Sequence, residues 1–264
     1  MNSLSKILII CFLFLTSSFV VGDSYRFVPN TSFKAGEFFE YKIKYGILSV
    51  GEATVEVSPQ IYSVNNRACY RVNIFGRTTG LTDLFRIRNT YRSYLDTSAI
   101  LPQKFLMSLQ ENSYKKDQVI VFNHNGNSAL REQNNEKKAF NLPNNIHDVV
   151  SGYYFLRTLD FSKMKVGDAI SSPMFFDDEI YNMRIKYNGK AVLKTKFGKI
   201  DVIKLNPILP QNEMFKGENA IRIWVSDDKN RVPIRIELDF AVGSASMEIR
   251  EYRNTRYDFD WRQK

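Results

Sequence analysis

Apolar and polar residues alternate through most of this chain, and that alternation restricts it to one broad kind of fold. Phe39, Tyr41, Ile43, Tyr45 and Ile47 alternate with Glu40, Lys42, Lys44 and Gly46. A two-residue period sends successive side chains to opposite faces of a strand, so one face can be buried while the other stays wet. A hairpin through Leu48–Gly51 leads into a second alternation, Ala53, Val55 and Val57. Further strands are predicted at Ala68–Phe75, Leu84–Leu95, Lys104–Leu109 and Gln118–His124, with a turn at Asn123–Asn127. Residues 125–144 are polar and rich in Asn, and read as a mobile loop or a short exposed hairpin.

One segment breaks the rhythm. Ile146, Val149, Val150, Tyr153, Tyr154 and Arg157 recur at helical spacing, with Asn144 or Asn145 as the cap and an end near Leu159–Asp160. Such a stripe needs a sheet to lie on. Strands then resume at Tyr181–Tyr187, Lys190–Phe197 and Lys199–Leu205, after a loop holding Gly167 and Asp168. The pair Asn188-Gly189 reads as a hairpin turn. Ile221–Val225, a turn at Ser226–Asn230, Val232–Phe240 and a last strand from Gly243 to Tyr252 follow, and the charged, aromatic tail either covers an edge or frays. About ten to thirteen strands cannot stay in one flat open sheet. The fold class expected is all-β and mainly antiparallel: a strongly curved, partly rolled sheet, or a half-open barrel or sandwich, with one central helix.

The N-terminus sets the compartment. Lys6 precedes the apolar run Ile7–Leu15, and small residues lead to Val20-Val21-Gly22. This pattern is that of a secretory signal peptide over residues 1–22, leaving a single β-rich exported domain, 23–264. The expected location is the periplasm or the exterior. Cys11 lies in the middle of the apolar run, which argues against lipidation, and Cys69 is then the one remaining thiol, expected to be buried and inert.

The chain carries a formal charge of +9, and loss of Lys6 with the leader leaves +8. Its cations are scattered one per strand face, which suits a solvated basic surface or attraction to anionic lipid or glycan. Export and the lack of any recognition-helix pattern argue against nucleic acid. Two histidines, His124 and His147, and one mature thiol are too few for a zinc site at local spacing, so no metal and no cofactor are expected. No nucleophile elbow occurs. The acidic knots Asp177-Asp178-Glu179 and Asp227-Asp228 are the remaining hint of an enzyme; glycoside hydrolysis would need two carboxyl groups facing one bond, and both knots read as turns. Arg222 and Trp224 share one strand face and are the candidate ligand-binding residues. A Trp beside an Arg can stack on a sugar or sit at a lipid interface, or Trp224 can be core.

A wider pattern spans the chain: Gly36-Glu37, Tyr41, Lys44-Tyr45-Gly46, Gly51 and Ala53; the helix around Asp148–Arg157; Phe197-Gly198 and Phe215; and the run Trp224, Ser226, Asp227, Asp228, Arg231, Pro233. In order and spacing, over about residues 33–253, it resembles the bacterial exported proteins grouped as the domain of unknown function numbered 3108. The resemblance implies a complex, partly rolled antiparallel structure similar to an envelope lipoprotein linked to capsule polysaccharide. It carries no catalytic residues across. The start of the helix departs from the pattern, with Asp148-Val149-Val150 where a Leu- or Pro-rich entry is expected. The motif residues also make sense structurally. Ser226–Asn230 can fix a hairpin, Arg231 can pair with Asp227 or Asp228, and Pro233 suits an edge or a bulge.

The function expected is that of a non-catalytic envelope binding protein for a lipid, a lipidated molecule or a glycan. The alternatives are an assembly factor for envelope polysaccharide or outer-membrane biogenesis, acting through envelope proteins or a membrane surface, and, less favoured, a carboxylate hydrolase.

Overall fold

The computed structural model describes residues 25–208 and 219–262. The predicted leader, Cys11 and Phe215 lie outside those residues. Within them, fourteen strands form one antiparallel sheet. The first wing holds β1 (Phe38–Tyr45), β2 (Leu48–Val64), β3 (Arg67–Thr78), β4 (Arg88–Asp96), β5 (Pro102–Glu111), β6 (Tyr114–Asn123), β7 (Ser128–Gln133) and β8 (Glu136–Asn141). Helix α1 (Val149–Arg157) follows. The second wing holds β9 (Ala169–Phe176), β10 (Glu179–Thr195), β11 (Gly198–Ile208), β12 (Ile221–Ser226), β13 (Pro233–Asp239) and β14 (Ser244–Arg253). Each wing is a meander of sequence neighbours, and the β1–β14 pairing joins them, giving the order β8 to β1, then β14 to β9.

Alternation builds the core directly. Phe39 faces Val55, Val55 faces Ile74, Ile74 faces Tyr91 and Tyr91 faces Met107 across successive strands. These cross-strand neighbours line up on one face, and a sheet this wide curls around them. The two outermost strands therefore come round towards each other without pairing. Phe140 of β8 and Phe175 of β9 meet with ring centroids 4.9 Å apart, and Phe122 meets Phe175 edge-on at 6.4 Å. Arg131 of β7 donates to Asp178 in the β9–β10 turn at 2.7 Å, and Lys116 of β6 donates to Asp177 at 2.5 Å. The segment entering α1 fills part of the gap: His147 N–H donates to the Pro173 carbonyl, and Phe175 N–H donates to the His147 carbonyl. The result is an open sheet rolled almost shut along a seam of side chains.

Tight turns follow the rule for twisted hairpins, with two successive residues at positive φ. Asn65-Asn66, Asn134-Asn135 and Asp177-Asp178 all adopt it. The polar stretch after His124 is thus the short hairpin β7–β8. Four local expectations are corrected. The first hairpin turns at Gly46-Ile47, because Tyr45 pairs with Leu48. The predicted strand from Leu84 begins instead at Arg88, after a 3-10 turn over Gly80–Phe85. The helix is capped by Asp148, not by Asn144 or Asn145, and ends at Arg157. Asn188-Gly189 is not a hairpin turn. β10 runs straight through it, with Gly189 at φ 80° forming a bulge between Tyr187 and Lys190. A bulge and a turn both call for positive φ, and here the long partner β11 favours the bulge. The sequence pattern also missed β9 altogether. Cys69 in β3 is buried, and burial above all pushes its thiol up to about 12.

Candidate functional site

Three features converge on α1: a buried ion pair, a buried polar cap and an apolar cleft. The ion pair joins the last helical residue to Glu37, the residue just before the first strand. Arg157 donates to both carboxylate oxygens of Glu37, at 2.5 and 2.9 Å, and both side chains are fully enclosed. Its Nε donates to the Asn230 carbonyl at 3.0 Å and its Nη2 to the Ser32 carbonyl at 3.3 Å, while Ser32 Oγ donates to the Arg157 carbonyl. Burial opposes the guanidinium's charge, but the Glu37 carboxylate outweighs it and holds the Arg157 proton more firmly than usual. Tyr41 donates to the Pro233 carbonyl at 3.1 Å beside this pair. The Tyr153 and Tyr154 hydroxyls are buried nearby without a hydrogen-bond partner, and burial raises both, Tyr153 to about 12.

The motif residues separated along the chain meet around this pair. Asp228 accepts from Ser226 Oγ and from the backbone N–H groups of Asn230 and Arg231. That turn presents the Asn230 carbonyl to Arg157. Asp227 instead pairs with Lys190 at 2.7 Å. Gly36 precedes β1, and Gly51 lies in β2, where a Cβ would strike the Arg77 carbonyl oxygen. Pro233 sits opposite Val225 at a register shift. The predicted pairing of Arg231 with Asp227 or Asp228 does not form. Its guanidinium lies over the Phe161 ring, 5.8 Å from the centroid, because the turn points the side chain back towards the loop after α1.

The polar cap lies at the other end of α1. Asp148 accepts from Ser151 N–H at 2.6 Å and from Ser93 Oγ at 2.6 Å, while Asp148 N–H donates to Ser151 Oγ at 2.9 Å. This reciprocal arrangement satisfies donors that a helix start leaves free. Arg26 Nη2 lies 2.7 Å from His147 Nε2, and His147 Nδ1 lies 3.1 Å from Ser151 Oγ. An arginine can only donate, so Nε2 must accept and Nδ1 must carry the proton. The serine oxygen therefore receives a hydrogen bond from the ring and is not positioned to lose its proton to it.

Burial pushes the Asp148 carboxyl up to about 6. An unfolded aspartate titrates near ~3.9, so as pH falls from 6 towards 4 the folded protein takes up this proton first and Asp148's share of stability rises. Above that window its ionisation costs on the order of 2–3 kcal/mol. Burial, together with the Arg26 charge, holds His147 well below its usual value. The unfolded chain protonates this histidine below ~6.5, so its share of stability falls with pH. The two groups offset each other. Asp148→Asn keeps a capping oxygen and removes the compensation, so stability should fall more steeply from pH 7.5 to pH 5 than in the parent. Urea unfolding at both pH values measures this, and equal falls would refute it.

The cleft lies between α1 and the second wing and has a volume of about 270 Å³. Val149, Tyr153 and Leu156 form its helical wall; Ile170 and Met174 of β9, Met183 and Ile185 of β10, Pro207 of β11 and Ile223 of β12 form the other. Pairing aligns them, with Ile170 opposite Ile185 and Ile185 opposite Pro207. Leu156, Phe161, Tyr187, Ile203, Leu205 and Val225 pack as a second core cluster alongside.

The candidate ligand residues are not in this cleft. On β12, Ile223 faces it, while Arg222 and Trp224 occupy the opposite face. Arg222 is forked between Glu237 and Asp239, at 3.1 and 2.6 Å. Trp224 is part-buried between Lys204 and Arg235 as cross-strand neighbours. The acidic knots do not converge either: Asp177 and Asp178 serve the seam, and Asp227 and Asp228 serve the β12–β13 turn. Among the described residues, no group of three or more His, Cys, Asp or Glu side chains could hold a metal ion. No helix there is long and apolar enough to cross a membrane.

An open, rolled antiparallel sheet with a helix laid on it and a lipophilic cleft beneath the helix defines a barrel-like class of protein. The family model described as "Protein of unknown function (DUF3108)" matches residues 40–250, and the chain belongs to that family. No curated protein matches it. Among solved structures it is similar to a beta-barrel-like protein of domain of unknown function DUF1849 from Brucella abortus, with a TM-score of 0.54 at 9% identity, covering 86% of this chain and 100% of that one. That likeness is one of fold. A candidate lipoprotein from Parabacteroides distasonis also aligns over 86% of this chain and 100% of that one, at 12% identity and a TM-score of 0.31.

Proposed function

We propose that this protein is a non-catalytic binding protein of the bacterial envelope, exported to the periplasm or beyond, that holds an apolar chain of a lipid or lipidated molecule in the cleft beneath α1. The observation that carries this reading is the cleft itself. Its lining is aliphatic, thioether and aromatic, with Ser172 as the polar exception. At about 270 Å³ it lies at the small end of the range for ligand sites, ~300–1,000 Å³, and suits one narrow chain better than a sugar. A glycan would call for more convergent hydrogen-bonding groups than these walls offer.

Binding of a fluorescent fatty acid tests the reading. Micromolar or tighter binding is expected in the parent. Ile223→Trp places an indole in the cleft and should weaken binding by about tenfold or more, since each 1.4 kcal/mol is a factor of ten. Trp224→Ala, on the opposite face, should leave binding unchanged. Equal affinity in the parent and Ile223→Trp would overturn the cleft as the site.

A further inference from the structure

The antiparallel meander sends alternate turns to opposite ends of the sheet. At one end, three neighbouring connections carry bulky aliphatic side chains into solvent. Ile47, on the β1–β2 turn, is 95% exposed; Leu84, in the 3-10 turn between β3 and β4, is 84% exposed; Val242, on the β13–β14 turn, is 80% exposed. Among the described residues these are the three most exposed aliphatic side chains. Backbone bonds hold the three turns side by side: Gly46 N–H donates to the Ser244 carbonyl and Thr79 N–H to the Val50 carbonyl. Tyr45 Oη ties the first turn to the Val242 carbonyl at 2.6 Å. Leaving such side chains in water costs stability without helping to form a core, so their clustering on one rim marks a contact surface.

Two exposed cations on this rim stand outside ion pairs. Lys44 and Arg86 are exposed, with no carboxylate partner among the described residues. Three nearby carboxylates are engaged by arginines, Asp83 with Arg88, Glu52 with Arg77 and Asp239 with Arg222, and Glu111 accepts from the Asn89 amide. We propose that this rim docks the protein on an anionic lipid bilayer, with Ile47, Leu84 and Val242 entering the acyl boundary and Lys44 and Arg86 meeting the headgroups. Separate aliphatic points on three neighbouring turns suit a fluid surface that closes around each one. A protein partner would call for a continuous buried patch with aromatic or arginine anchors. The proposal does not depend on the cleft, and variants at the tips leave the cleft lining untouched.

Sedimentation with vesicles of phosphatidylglycerol and phosphatidylcholine in equal parts, compared with pure phosphatidylcholine, tests it. The parent should partition onto the anionic vesicles, and less so as salt rises. Ile47→Ser/Leu84→Ser/Val242→Ser should weaken partitioning at least ~30-fold, since three aliphatic side chains lose their burial. Lys44→Ser/Arg86→Ser should weaken it by about tenfold on the anionic vesicles. Val166→Ser, at an exposed site on the loop after α1, should change nothing. No binding to anionic vesicles, or undiminished binding by the triple variant, would overturn the proposal. So would a parent that dimerises in sedimentation-velocity runs while the triple variant stays monomeric, because the tips would then join two copies of the chain.

Discussion

Arg157→Met is expected to cost about 3–5 kcal/mol of folding stability, the range for breaking a buried ion pair by removing one partner. For a domain of this size that lowers the melting temperature by on the order of 10 °C. The loss arises from Glu37, whose carboxylate would be left enclosed without its two charge-assisted bonds. The Asn230 carbonyl would lose its donor as well. Glu37→Gln/Arg157→Met should recover much of the loss, because a neutral amide is far cheaper to bury than an orphaned carboxylate. Calorimetry of the parent, both single variants and the double variant gives the coupling. If the double variant loses as much as the two singles added together, the pair is not a unit. The pair matters beyond stability, because it ties the end of α1 to β1 and to the β12–β13 turn. A loosened helix would widen the cleft that it roofs.

The second large effect is expected at the seam. Phe175 is enclosed between Phe122 and Phe140, from the opposite wing of the sheet. Phe175→Ala should cost about 3–5 kcal/mol, the usual range for emptying an aromatic site in a core. Its distinctive sign is local. No ladder of backbone bonds joins β8 to β9, so loss of the ring should raise hydrogen exchange at β8, β9 and the His147–Phe175 bridge before it does so at the β1–β2–β14 centre. Uniform loss of protection across the sheet would show that the seam does not open on its own.

The fold was legible in the sequence because alternation is a local signal, and almost every strand that carries it pairs with its neighbour in the chain. β9 was missed for a physical reason. Its run Ala169–Phe176 carries two serines and Pro173, and alternates weakly, because it lies at an edge and does not need a continuous apolar face. Asn188-Gly189 was misread because its positive φ serves a bulge as readily as a turn. The site was far less legible. Glu37 and Arg157 lie 120 positions apart, and nothing in either's neighbourhood announces the other. The family resemblance singled out Glu37 without saying what it touches. The cleft draws its lining from one helix and four strands, so it exists only once α1 has docked. Arg222 and Trp224 attracted notice as a chemically suggestive pair, yet the adjacent Ile223 is the residue that faces the cleft.

The strand that joins the two wings is also the last of the fourteen described strands along the chain. Until β14 slots in beside β1, an emerging chain holds two separate meanders, each with a bare flank of unpaired amides and carbonyls. Completion must therefore wait until β14 has emerged, which makes the late, long-distance step the slow one and the half-built sheet the species most prone to stick to its own kind. A protein assembled in this order would gain from a chaperone that shields that flank until β14 is in place.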